Sequence, residues 1–125
     1  GRLHALVAAA RARFEAYRVP GEEARGIAHW LRSARIKIAA AREAGDDLRA
    51  AYVTSTSSWE MLRGIWAAYD KPLPPSGALW AHLHDLPAGP PDVEAWLRVL
   101  FTGNTPDRIQ MALEIIDWVL PHLEE

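Results

Sequence analysis

The stretch EEARGIAHWLRSARIKIAAAREAGDDLRAAYVTSTSSWEMLRGIWAAYD, residues 22–70, decides the fold. In its first half Ala24, Ile27, Leu31, Ala34, Ile38 and Ala41 recur at alternating steps of three and four. In its second half Leu48, Tyr52, Ser55, Trp59, Leu62, Trp66 and Tyr69 do the same. Such spacing lays one apolar seam along each of two helices. Between them, Gly45 suits a left-handed helix end and Asp46 suits the N-cap of the next helix. A joint this short forces the two helices to run antiparallel, which makes a long helical hairpin.

Working outward, Leu3, Val7, Ala10, Phe14 and Tyr17 predict a helix over 2–18, stopped by Val19-Pro20-Gly21. The second helix is expected from Glu22 to about Ala44, and the third as one helix to Tyr69 or Asp70. The hydroxyl run from Thr54 to Ser58 weakens helix propensity there. It is read as close helix packing, or as a polar notch open to a ligand. Lys71-Pro-Leu-Pro-Pro75 breaks the chain. A short helix is expected from Ser76 to Leu86, capped by Ser76, with Leu79, Trp80 and Leu83 inward. Another follows over 91–101, with Val93, Trp96, Leu97 and Leu100 inward. Thr105-Pro106 predicts an N-cap and a first-turn proline. The last helix turns Ile109, Leu113, Ile116, Leu120 and Leu123 to the core, with a kink or fraying at Pro121. The expected fold is all-α, an up-and-down bundle of five to six helices built on that hairpin. It forms one domain, 1–125, read as the C-terminal part of a longer protein that here begins without Met.

Composition narrows the function classes. Cysteine is absent, so disulfides and thiolate metal sites are excluded, which fits a cytoplasmic protein. No apolar run reaches the roughly 20 residues of a membrane span. The net charge of −2 hides an asymmetry: residues 1–49 hold ten basic and six acidic side chains, residues 50–125 four and ten. A dipolar chain of this kind argues against a dedicated nucleic-acid binder and suits a basic face meeting an acidic partner or an anion.

Two groups of side chains stand out. Arg25, Arg32, Arg35 and Arg42 form a stripe away from the seam, a solvated face or a surface for a partner or anion. Ile36 among them points to a covered face, against another domain or a second copy. On the third helix Tyr52, Ser55, Trp59 and Glu60 are the candidate substrate contacts. Six tryptophans are present, more often core than ligand platform. His4, His29, His82, His84 and His122 offer no helical zinc spacing, and Gly45-Asp46-Asp47 has a capping explanation, so no metal site is expected. No nucleophile elbow or phosphate loop is present, and no catalytic residue is assigned.

The order of elements carries a resemblance. A long helix, Gly-Asp, a second helix rich in Ala, Trp and Tyr, Lys71-Pro-Leu-Pro-Pro75, a short helix ending His84-Asp-Leu-Pro87 and two more helices follow one another. Over about 22–123 this resembles the helical, HEPN-like substrate-binding domain that accompanies nucleotidyltransferase domains, as in aminoglycoside nucleotidyltransferases. The resemblance implies a non-catalytic substrate-binding domain, with ATP and magnesium handled by a catalytic domain in cis or in trans. The Gly-Ser and diacid strand of that catalytic domain is missing here. Ribonucleases of the HEPN group carry Arg, four to six residues, then His; Arg25-Gly-Ile-Ala-His29 has three between. The alternatives are a small interaction or dimerisation bundle of toxin–antitoxin type, with a homodimer expected, and a HEPN-type ribonuclease using Arg25 and His29.

Overall fold

The computed structural model describes residues 17–124. Most of the helix expected over 2–18 lies outside these residues; Tyr17 and Arg18 are not helical. The described residues form five α-helices and two short 3-10 segments: α1 (Gly21–Glu43), α2 (Asp47–Thr56), α3 (Ser58–Ala68), 3-10 turns at Ser76–Ala78 and Trp80–Asp85, α4 (Val93–Thr102) and α5 (Thr105–Leu123). Among them there is no strand. The chain is the all-α bundle its periodicity predicts.

Helix α1 is its axis, about 34 Å long at 1.5 Å per residue. All six predicted seam residues are buried, and Ala28 joins them. The joint after α1 satisfies the orphan carbonyls at its end. Gly45 has φ +71° and donates to Arg42 O at 3.0 Å, while Asp46 N–H donates to Ala41 O at 2.9 Å. Asp46 then caps α2, accepting from Arg49 N–H at 3.1 Å.

The second arm differs from its expected form in two ways. It is not one helix: it bends at Ser57, where Thr56 and Ser58 hydroxyls donate back to Val53 O (3.3 Å) and Ser55 O (2.8 Å). Hydroxyls bonded to the preceding turn bend helices in this way. Its seam is also out of phase before the bend. Leu48, Tyr52 and Ser55 are exposed, while Ala50, Thr54 and Ser57 are buried. Thr54 and Ser57 are buried where α2 packs on the Ala-rich face of α1, and Thr56 and Ser57 also border a groove between the two helices. Past the bend Leu62 and Trp66 are buried as expected, with Met61 and Ile65; Trp59 is not.

Three smaller differences follow. The segment after the prolines is 3-10 rather than α, and Ser76 makes no capping hydrogen bond. A 3-10 rise of about 2.0 Å per residue lets this short stretch, held between Pro75 and Pro87, span more distance. Leu79 is buried there, but Trp80 is 55% exposed. Asn104, not Thr105, caps α5, accepting from Asp107 N–H at 2.9 Å. Helix α5 continues through Pro121 to Leu123.

Helix α1 packs on α2, α3 and α5, and α5 in turn on α2, α3 and α4. Three of the four arginines predicted as an outer stripe reach α5 or the residue just past it. Arg35 makes a two-pronged bond to Asp117 (2.6 and 3.0 Å), Arg42 meets Gln110 at 2.6 Å, and Arg32 pairs with Glu124. Residue number rises along α1 as it falls along α5, so the two are antiparallel. Two of these contacts, Arg32 with Glu124 and Arg35 with Asp117, join the basic half of the chain to its acidic half.

Candidate functional site

The third-helix candidates do not converge. Tyr52 is 66% exposed and borders a groove of about 500 Å³ between α1 and α2, opposite Trp30 and beside Lys37. Ser55 accepts from Arg108 Nη2 at 3.0 Å, and the same guanidinium donates to Leu100 O at 2.7 Å. Its hydroxyl ties α2 to the start of α5. Glu60 receives Arg63 Nη1 on both carboxylate oxygens at 3.1 and 3.0 Å, and Arg63 Nη2 reaches Glu23 at 3.4 Å. Arg63 thus bridges Glu60 to Glu23 in the first turn of α1. Trp59 is partly exposed and borders none of the concavities described here.

Of the arginine stripe, Arg32, Arg35 and Arg42 are engaged by α5 as above. Asp117 holds the Arg35 guanidinium more firmly protonated than usual, by hydrogen bond first and by charge second. Arg25 lies in a groove of about 570 Å³ at the N-terminal end of α1, with Arg18, Asp70, His122 and Glu124. Asp70 there holds the chain entering α1: it accepts from Val19 N–H at 3.3 Å and lies 3.9 Å from Arg18.

Another concavity of similar size lies where the sequence offered no binding candidate. The 3-10 turn Trp80–Asp85 and the start of α4 enclose about 600 Å³, between Trp80, Leu83 and Pro87 on one side and Asp92 and Glu94 on the other. A further 280 Å³ continues from Trp80 and Leu83 over Leu97 to Phe101. Trp80 meets Phe101 edge to face, with centroids 5.9 Å apart, and both are exposed. The pair makes an aromatic wall. The opposite rim is acidic. Asp92 also caps α4 through Ala95 N–H at 3.1 Å, and Glu94 pairs with Arg98 at 2.9 Å. At the back of the turn Asp85 accepts from His82 Nδ1 at 2.6 Å, which holds its carboxyl below the usual range. Of this lining the sequence marked Trp80, Leu83 and Val93 as core residues and His84-Asp-Leu-Pro87 as part of the resemblance, and none as a binding contact. The 3-10 turn swings Trp80 outward.

Among the described residues no three His, Asp or Glu side chains gather as a metal site would require. None of the described helices is long and apolar enough to cross a membrane. No family model matches the chain, and no curated protein or solved structure is significantly similar to it.

Proposed function

We propose that this chain is a non-catalytic helical domain that binds substrate beside a nucleotidyltransferase catalytic domain, in cis or in trans. The observation that carries this reading is the aromatic and acidic groove at Trp80. Its volume falls within the range of small-molecule sites, roughly 300–1,000 Å³. Apolar walls with a few polar groups at the rim are the usual construction of such sites. Asp92 and Glu94 line the same groove as Trp80, a combination that suits an amine-bearing substrate through charge and cation–π attraction. This is also the substrate chemistry that the resemblance to aminoglycoside nucleotidyltransferases implies. Of the row Tyr52, Ser55, Trp59 and Glu60, Ser55 is bonded to Arg108 and Glu60 to Arg63, while Tyr52 borders the separate groove between α1 and α2. ATP and magnesium belong to the catalytic domain.

Two measurements test it. Calorimetric titration with kanamycin, as a polyamine probe, is expected to show binding that Trp80→Ala and Glu94→Gln each weaken about tenfold, the size of one lost cation–π or charged contact. Tyr52→Ala is expected to leave that binding unchanged. The purified chain with ATP, magnesium and kanamycin is expected to transfer no nucleotide. Turnover by the chain alone, or binding indifferent to Trp80 and Glu94, would overturn the reading.

A further inference from the structure

The groove of about 500 Å³ between α1 and α2 is lined on its α1 side by a row of donors. His29, Ser33 and Lys37 follow one another at steps of four, about 6 Å apart along the helix. Trp30 stands beside them, and Tyr52 and Thr56 of α2 line the other side. Both aromatic rings are open to solvent, Trp30 at 50% exposure and Tyr52 at 66%. The side chains of His29, Trp30, Ser33, Lys37 and Tyr52 make no hydrogen bond or ion pair among the described residues. On the other flank of the same helix Arg32, Arg35 and Arg42 all have partners. The polar groups facing α5 build the fold, whereas those lining the groove are unspent.

The lining sets the charge of a ligand. Among the described residues around the groove Lys37 is a cation, His29 adds a second nitrogen donor when protonated, and no carboxylate is present. The indole N–H of Trp30 donates only. A set of this kind complements an anion. One lysine serves one anionic group, not the run of phosphates that a nucleic acid presents. Two exposed rings, one from each helix, suit a planar aromatic ring. The volume lies within the range of small-molecule sites, roughly 300–1,000 Å³. We propose that the groove between α1 and α2 is a second binding site, for a small aromatic carboxylate, with its ring against Trp30 and Tyr52 and its carboxylate on Lys37. Ser33 and His29, on the same row, supply further hydrogen bonds. The site is independent of the groove at Trp80, whose acidic lining selects the opposite charge.

Calorimetric titration of the full chain with 2-naphthoate, as the probe, is expected to show binding with a Kd of about 0.1 mM, ordinary for a ligand of this size. The neutral 2-naphthamide is expected to bind about tenfold more weakly, because it lacks the charge that Lys37 meets. Lys37→Met and Trp30→Ala are each expected to weaken 2-naphthoate about tenfold. Helical circular dichroism and thermal midpoint should be retained, because both side chains are exposed. Should Trp30→Ala lose its fold, Tyr52→Ala carries the same expectation on a still more exposed side chain. Trp80→Ala is expected to leave 2-naphthoate binding unchanged, and saturating kanamycin is expected not to compete. Absence of binding at millimolar 2-naphthoate overturns the proposal. So does equal affinity for the amide, or binding that Lys37→Met or a folded Trp30→Ala leaves unchanged, or binding that Trp80→Ala weakens instead.

Discussion

Thr54 carries a hydroxyl that the core encloses and that no group among the described residues hydrogen-bonds. Its neighbours Thr56 and Ser58 spend theirs on carbonyls of the preceding turn. A buried, unpaired hydroxyl costs about 1–3 kcal/mol of desolvation, whereas a methyl of the same shape costs nothing of the kind. Thr54→Val keeps the β-branched outline that the narrow space between α1 and α2 accepts. It is expected to stabilise the fold by about 1 kcal/mol. With a urea slope of roughly 1–3 kcal/mol/M, the unfolding midpoint rises by about 0.5 M. An unchanged or lowered midpoint would mean that the hydroxyl has a partner after all, and Ala50 O one turn back would be the first to look at.

Between elements, close approach is set by what is missing from a side chain. A Cβ on Gly64 of α3 would stand 2.7 Å from Val119 Cγ1 of α5 and 3.1 Å from Leu31 Cδ1 of α1. Gly64 is where three helices meet. Gly64→Ala gains about 1 kcal/mol of helix propensity and meets overpacking of about 1–3 kcal/mol. The expected net loss is about 1 kcal/mol, read as a lower urea midpoint. In a double-mutant cycle with Val119→Ala the two changes should partly compensate, since the second vacates the space the first needs; simple additivity would refute the clash. The same close packing explains what was legible in the sequence. The seam of α1 could be read because Ile and Leu alternate with Arg, so apolar size and burial agree. The seam of α2 could not, because Leu48, Tyr52 and Trp59 outweigh Ala50, Thr54 and Ser57 in any hydrophobic count. Only the facing alanines of α1 make the small residues the right ones to bury. The groove at Trp80 was hidden for a related reason. Whether a tryptophan faces in or out there depends on 3-10 or α winding, which the flanking prolines settle through distance rather than local propensity.

For the whole molecule, part of the charge asymmetry of the sequence is met within the chain. The basic half carries its arginines on α1 and the acidic half supplies Asp117 and Glu124 on or just beyond α5, so opposite charges lie face to face along the bundle. These side chains are roughly half exposed, and exposed pairs contribute only about 0.2–1 kcal/mol each. Their sum is still a visible fraction of a stability of the usual 5–15 kcal/mol. Salt shortens the range of such attraction from about 10 Å at 0.1 M to about 3 Å at 1 M. Raising sodium chloride from 0.05 to 0.5 M should therefore remove about 1 kcal/mol and lower the thermal midpoint by about 3–5 °C. The counterpart is the variant in which Arg32, Arg35 and Arg42 are all alanine. It should start with the lower midpoint and show little response to salt, because the contacts that salt screens are gone. Calorimetric scans of the two proteins at both salt concentrations decide the point. If the parent chain is instead stabilised by salt, like-charge repulsion dominates its surface, and the facing of basic α1 against acidic α5 contributes nothing that holds the halves together.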